Sequence, residues 1–509
     1  MPKLVSALLT LALTSALVSP AFAQVTELRG PATGTPLVDE NLNGIEDAEE
    51  AAAAPQVVFD EPLRDAIDLD ETDNLPEAAR ATPPAPTGAL NARARRAQRV
   101  GIDLATGDTT PLSNTPATPV QGGGVTQGDP FAPLGIRRGA FTFFPTVEQS
   151  IGYTSNADFA SNGEGSAFSQ TNVNLSAVSD WSRHQLRGQI GGGYTTFFNG
   201  ESDDLPTVNA DAQLRLDGGR GLELTFGGAY DLRTESAVSD NINAPDGFIV
   251  DGRPIVQRFA GSAEIARRGQ LFTPSLRLSA DYLTFGDADV AGGGTFSQST
   301  RDNLLTLATL RLGYEVSPAW RPFVEGEVGA RLYSEDVDLN GDDRDAFRYG
   351  LRAGAEFGSG EILTGNLAVG YANETFKSAN LGDLGGLTID GQIDWSPRRF
   401  TTISATGTTE FAGSTDAFES GSIIYAGSLG ITRDVRPNLS LNALVRASLR
   451  DYVGTAREDQ SVGAEAGFEW RMNRSVALFG TAGYENVEST DLDASYEATT
   501  VRGGLRLAR

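Results

Sequence analysis

Leu222-Glu223-Leu224-Thr225-Phe226-Gly227-Gly228-Ala229-Tyr230-Asp231-Leu232-Arg233 decides the architecture. Counted by twos, Leu222, Leu224, Phe226, Tyr230 and Leu232 fall on one side, with Glu223, Thr225, Asp231 and Arg233 on the other. A helix, at ~3.6 residues per turn, would smear both sets around its surface; only an extended strand separates them. Ser461 to Arg471 repeats the pattern, with Val462, Ala464, Ala466, Phe468 and Trp470 opposite Glu465, Glu469 and Arg471. Each segment reads as a strand with one apolar and one polar face.

Comparable segments recur from near Phe143 to Leu507, the last running Tyr496 to Leu507. Their number is about 18, or about 16 if a hairpin is merged or missed. Mean hydropathy is slightly negative, at -0.22. After the N-terminus no apolar run is long enough for a membrane-spanning helix. A barrel in lipid needs none, because half of each strand faces water. A soluble β-sandwich or propeller also alternates, so two further features have to separate the readings.

The first is targeting. Met1-Pro2-Lys3 precedes an apolar stretch from Leu4 to Val18 and then Ala21-Phe22-Ala23, which predicts a cleaved export signal over residues 1–23. The chain has no cysteine, which excludes disulfides and lipid attachment after the cut. The second is the sorting of connections. Ser182-Arg183-His184, Gly218-Gly219-Arg220, Arg267-Arg268-Gly269, Ser359-Gly360, Pro397-Arg398-Arg399, Arg436-Pro437-Asn438 and Asn473-Arg474 are tight. The alternate set is long and polar: Thr234 to Pro254, Gly286 to Arg301, Asp336 to Asp345 and Ala412 to Ser420. Outer-membrane barrels show short periplasmic turns and long external loops, a division that a sandwich does not need.

The expected fold is therefore all-β, a transmembrane antiparallel up-and-down barrel over residues 134–509 with both mature termini in the periplasm. Amphipathic rings favour the headgroup level. Trp181, Trp320, Trp395 and Trp470 lie at tight turns and Tyr230, Tyr282, Tyr371, Tyr452 and Tyr484 toward the long loops, which predicts two aromatic girdles.

Gln24 to about Pro133 is different: rich in Ala, Pro, Asp and Glu, with too few apolar residues to close a core, and so expected to be a disordered periplasmic tail. Within it, Asp39, Asn41, Asn43, Asp47 and Glu50 stand at calcium-loop positions around Gly44. The stretch resembles the calcium repeats of thrombospondin type three modules. Without flanking helices it reads either as a Ca²⁺ site or as an acidic linker; no other cofactor is expected.

The segment Asp129-Pro130-Phe131-Ala132-Pro133-Leu134-Gly135-Ile136-Arg137-Arg138-Gly139-Ala140-Phe141-Thr142-Phe143-Phe144-Pro145, followed by Gly152-Tyr153-Thr154-Ser155-Asn156, resembles the opening of the putative β-barrel porin family of the second type. The resemblance covers roughly residues 130 to 509. It implies an outer-membrane barrel of proteobacteria, some members being associated with exopolysaccharide production, and leaves the transported substrate open. The chain ends Leu507-Ala508-Arg509 where such barrels usually finish on an aromatic residue, the end that the barrel assembly machinery recognises.

A wall of about 18 strands is wider than its own side chains can fill, so a wet lumen is expected unless a segment plugs it. Candidates to line it are Glu223, Asp231, Arg233, Glu325, Glu327, Arg331, Arg348, Arg352, Glu356, Asp390, Asp394, Arg446, Arg450, Arg502 and Arg506. Rows of both signs either act on passing solutes or merely keep the lumen wet and rigid. A formal charge of -27 argues against nucleic-acid binding. Acidic loops such as Asp336 to Asp343 suit divalent-cation bridges to lipopolysaccharide. Catalysis is not expected: the only histidine, His184, sits in a tight turn, and nothing singles out a pair of carboxylates. Three readings stay open: a channel for passive diffusion of small hydrophilic solutes, which is preferred, a component of exopolysaccharide export or surface assembly, and a structural or adhesive barrel without a pore. Alternating strands name no interface for a homo-oligomer.

Overall fold

The computed structural model describes residues 130–199, 202–235, 250–251, 253–269, 271–290, 293–359, 362–491 and 494–509. The expected export signal, the tail up to Asp129 and the calcium candidate Asp39, Asn41, Asn43, Asp47 and Glu50 lie outside the described residues.

Period-two segments become long strands joined as hairpins. A stub, β1 (Ile136–Arg138), precedes β2 (Phe141–Thr154), β3 (Ser166–Ser179), β4 (Gln185–Phe197), β5 (Leu205–Gly219) and β6 (Leu222–Thr234). After the short β7 (Val250–Asp251) come β8 (Ile255–Arg267) and β9 (Phe272–Phe285). Two more short strands, β10 (Ala288–Val290) and β11 (Thr295–Phe296), precede β12 (Asn303–Tyr314), β13 (Trp320–Tyr333), β14 (Ala346–Ser359) and β15 (Leu363–Phe376). The chain finishes with β16 (Leu384–Arg398), β17 (Thr401–Gly413), β18 (Gly421–Arg436), β19 (Leu439–Val453), β20 (Glu458–Arg471), β21 (Val476–Ser489) and β22 (Tyr496–Ala508). The short strands β7, β10 and β11 pair with one another, making a small sheet from two of the long loops.

The remaining 18 long strands pair antiparallel in chain order, and β22 returns to β2, with Glu148 opposite Arg506. Closure leaves no first or last strand with a free edge along its length, the condition for a sheet to stand in lipid. The stub β1 takes up the flank of β2 at Phe141–Phe143, beyond the last β22 pair at Thr146 and Ala508. Wall strands run 12 to 16 residues. At ~3.3 Å per residue and ~40° tilt, a strand of ~14 residues climbs ~35 Å, more than an apolar band of ~25 Å, so its ends emerge from the hydrocarbon.

Tight connections gather at one end, the turn end, and long ones at the other, the loop end. Between β5 and β6 the chain takes positive φ at Gly219, Arg220 and Gly221. A Cβ on Gly221 would stand 2.0 Å from the Arg268 carbonyl oxygen, so the next turn needs glycine there.

The outward face carries the apolar set. Ile151, Leu351, Val324 and Leu505 are exposed, while their sequence neighbours Ser150, Glu325 and Arg506 are buried. Trp181, Trp320, Trp395 and Trp470 are exposed at the turn end, and Tyr371 and Tyr484 toward the loop end. Tyr230 and Tyr282 flank the exposed Phe259 ring, at centroid distances of 4.9 and 6.4 Å. Tyr452 corrects the girdle expectation. It shares the inward parity of Arg450, is 5% exposed, and its hydroxyl donates to Asp459 at 2.7 Å. Apolar burial is concentrated near the loop end, in one cluster around Phe159, Phe168 and Tyr496 and a second around Phe376, Leu384 and Phe411.

Candidate functional site

Alternation puts all fifteen predicted charges on the inner face. On β13 and β14 that face holds Glu325, Glu327, Arg331, Arg348, Arg352 and Glu356, and these form one connected row with Arg311 of β12 and Glu374 of β15. From the turn end upward, Arg311 holds Glu356 at 3.0 Å and Glu325 at 2.6 Å. Arg352 bridges Glu325 at 2.5 Å to Glu327 at 2.9 Å. Next, Arg348 bridges Glu327 to Glu374, both at 3.0 Å, and Arg331 meets Glu374 at 3.1 Å. Strand parity would have found Arg311 and Glu374 too, since each alternates with outward leucine or tyrosine.

Most of these charges are nearly dry, Glu374 completely so. A buried pair roughly balances desolvation against attraction, so the row is a weak source of net stability. Removing one member is a different matter, since it strands its partner at a cost of about 3–5 kcal/mol. Alternating signs thus fix one rigid, polar lining rather than a stripe of single charge.

The other predicted charges are dispersed. Glu223 meets Arg268 at 3.6 Å near the turn end. Asp231 and Arg233 lie higher on β6. Asp394 accepts from Ser404 at 2.6 Å and Gln392 at 3.0 Å, while Asp390 is buried two pairs further up. Arg446 occupies the same face of β19 as Arg450, whose Nε donates to Ser422 at 2.8 Å. Arg502 donates to Gln170 and Thr481, and Arg506 pairs with Glu148 across the seam and with Glu469 of β20.

One feature has no counterpart in the sequence reading. Pairing of β16 with β17 stops at Gly391 and Gly407, whereas β17 stays paired with β18 up to Gly413 and Gly421. Above the split the Thr409 hydroxyl replaces the ladder, meeting both the N–H and the carbonyl of Ile389. The freed tip of the β17–β18 hairpin leans into the lumen. Phe411 and Ile423, which by parity would face lipid, instead pack on the inner-wall residues Ala346, Ala372 and Leu384.

Three arginines hold this arm. Arg331 donates to the Phe411 carbonyl at 2.8 Å, and Arg348 lies over the Phe411 ring at 4.5 Å. Arg344, fully buried, donates to the carbonyls of Ser414, Asp416 and Glu419 while pairing with Asp338 at 2.6 Å. The Asp338 carboxylate also accepts the Asn340 and Asp342 N–H groups, so a guanidinium fills the turn of this acidic loop. Loop positions carry no period, so nothing in the sequence marked Arg344.

Between arm and wall remains a cavity of about 140 Å³, with Arg258, Asp281, Tyr333 and Glu410 among its lining. A Cβ on Gly413 would come within 2.1 Å of the Tyr333 hydroxyl, so glycine lets the arm sit there. On the arm's loop Glu419 is raised to about 7 by burial and by Asp416. Nearby, hydrogen bonds from Asn380 and Ser378 hold Asp342 below the usual carboxylate range. Among the described residues no three metal-ligating side chains converge. His184 Nδ1 accepts the Asp217 N–H at 3.2 Å in the turns, far from the arm.

A closed wall with an apolar outside and a charged inside defines an outer-membrane β-barrel. The model of the family Putative beta-barrel porin 2 matches residues 129–509, three-quarters of the chain, and the chain belongs to that family. No curated protein matches it. Among solved structures it is similar to OpdK of Pseudomonas aeruginosa, at 12% identity and a TM-score of 0.36, covering 72% of this chain and 99% of that one. OccK2 (OpdF) of the same species, in complex with glucuronate, gives 11%, 0.38, 72% and 98%. The siderophore receptor PirA of Acinetobacter baumannii gives 7%, 0.35, 72% and 80%. At such scores these likenesses carry no argument about cargo; the fold stands on the strand ladder itself.

Proposed function

We propose that the barrel is a channel for passive diffusion of small hydrophilic solutes, narrowed by the inward arm of β17 and β18. The observation that carries this reading is the inner wall: a continuous polar row of alternating charge running from the turn end to the arm, whose part-exposed members Arg352 and Glu356 offer a hydrated solute hydrogen-bonding partners. In this reading the turn end and both termini face the periplasm. The fifteen predicted charges then act as lining, and the acidic loops face lipopolysaccharide.

The arm favours a second reading. Ala412 and Ile424, on its lumenal side, are almost wholly buried, which suits a structural surface barrel with a filled interior. Planar-bilayer recording on the full chain and on a variant with residues 408–424 replaced by a short turn separates the two. Stepwise conductance in the full chain, larger in the variant, supports the narrowed channel. Silence in the full chain and steps only in the variant favour the filled barrel; silence in both overturns the channel.

A further inference from the structure

Exposed charge is divided between the two ends of the wall. Asp204, Asp287, Asp289 and Asp383 stand exposed in the loops. At the turn end Arg183, Arg220, Arg267, Arg399, Arg436 and Arg474 are exposed, and none forms an ion pair with an acid among the described residues. Of the acids of that end, Asp180 is engaged by Arg137 and Glu223 by Arg268, while Asp217 accepts the Gly219 N–H and Asp434 the Ser440 hydroxyl. The six arginines come from six different hairpins and so ring the barrel rather than forming one patch.

Their neighbours say what the ring meets. Turns at the same end carry bulky apolar side chains in the open: Leu271, Phe400 and Met472 share turns with Arg267, Arg399 and Arg474, and Val316 and Ile362 stand in the β12–β13 and β14–β15 turns, with Phe400 at 70% exposure. Turns bathed in water have no use for them. Trp181, Trp395 and Trp470 stand exposed at the same level, and Arg267 continues the outward face of Ile265. Aromatic rings at headgroup height, apolar tips beside them and guanidinium groups just past the hydrocarbon form an interfacial composition. A guanidinium fork matches a phosphate oxygen pair.

We propose that this rim binds anionic phospholipid headgroups around its circumference, anchoring the turn end in the phospholipid leaflet. The choice of phospholipid over lipid A rests on the orientation given above, with the turn end periplasmic. A soluble acidic partner would match the arginines but not the apolar tips.

The test uses the full chain in detergent, incubated with equal amounts of phosphatidylglycerol, phosphatidylethanolamine and lipid A and examined by native mass spectrometry. The expected result is retention of phosphatidylglycerol over phosphatidylethanolamine by at least about tenfold at low salt, shrinking toward parity near ~0.5 M salt. Replacing the six arginines together by glutamine abolishes the preference. If that variant does not fold, the salt series and the pair Arg399→Gln with Arg436→Gln carry the test, the pair reducing the preference by several-fold. Equal retention of the two phospholipids, or a preference that survives both substitution sets, overturns the proposal. Lipid A held through these arginines in place of phosphatidylglycerol overturns it as well and shows that the orientation was at fault. Binding of soluble polyglutamate with no phospholipid preference identifies a water-borne acidic partner instead.

Discussion

Glu419 is an acid that its surroundings keep from ionising. Burial is the main cause of its pKa near 7, Asp416 adds repulsion, and Ser414, Arg450 and Arg344 offset only part. One of its oxygens, Oε1, is buried without a hydrogen-bond partner. Because the folded value lies above the ordinary one of 4.5, the folded loop binds the proton more tightly than an unfolded one. The resulting stability is full below pH 4.5 and is lost as pH rises through 7. Amide exchange across residues 414–420, corrected for its intrinsic rate, should therefore be faster at pH ~8 than at pH ~5. Glu419→Gln should remove the difference; equal protection at both pH values in the native chain would sink the idea. At this scale much was legible, since parity places Glu325 or Arg348 on one face from the letters alone. Tyr452 shows the limit of reading by residue type: its parity is that of Arg450, and a tyrosine near a strand end suggests a girdle only if that parity is ignored.

The hairpins and their tight turns follow from period and punctuation, and the arm does not. Thr409 and Phe411 alternate just as lipid-facing residues do, and the split from β16 depends on a through-space pairing that ends at Gly407. What turns Phe411 inward is the wall it meets, in particular Ala346 and Ala372, small enough to receive a ring. Truncating Phe411 to alanine should cost the arm about 3 kcal/mol of packing. Since Arg344 and its three carbonyl contacts stay in place, the barrel should remain folded while the tip detaches more often. In single-channel records Phe411→Ala should therefore show longer or larger open steps than the native chain. Identical traces would mean that the arm does not limit flow.

For the whole molecule, closure rests on the last strand. Deleting Tyr496–Ala508 removes a full ladder from both β21 and β2, along with the Arg506 pairs to Glu148 and Glu469. Two open edges cannot stand in hydrocarbon, where each unpaired backbone group costs several kcal/mol. The shortened chain should fail to insert into vesicles and should stay protease-sensitive; insertion with native protection would contradict the closed wall. The sequence made the strand number and the side each face takes readable, because both follow from local alternation. Which residues would touch across the lumen was not, because that depends on the curvature of the finished ring. The stub β1 adds a consequence for self-association. By running alongside Phe141–Phe143 where β22 has already ended, it covers the stretch of β2 that a neighbouring molecule could otherwise zip onto. At this point of the seam, copies of this barrel meet through greasy flanks or lipid between them rather than by adding a strand to β2.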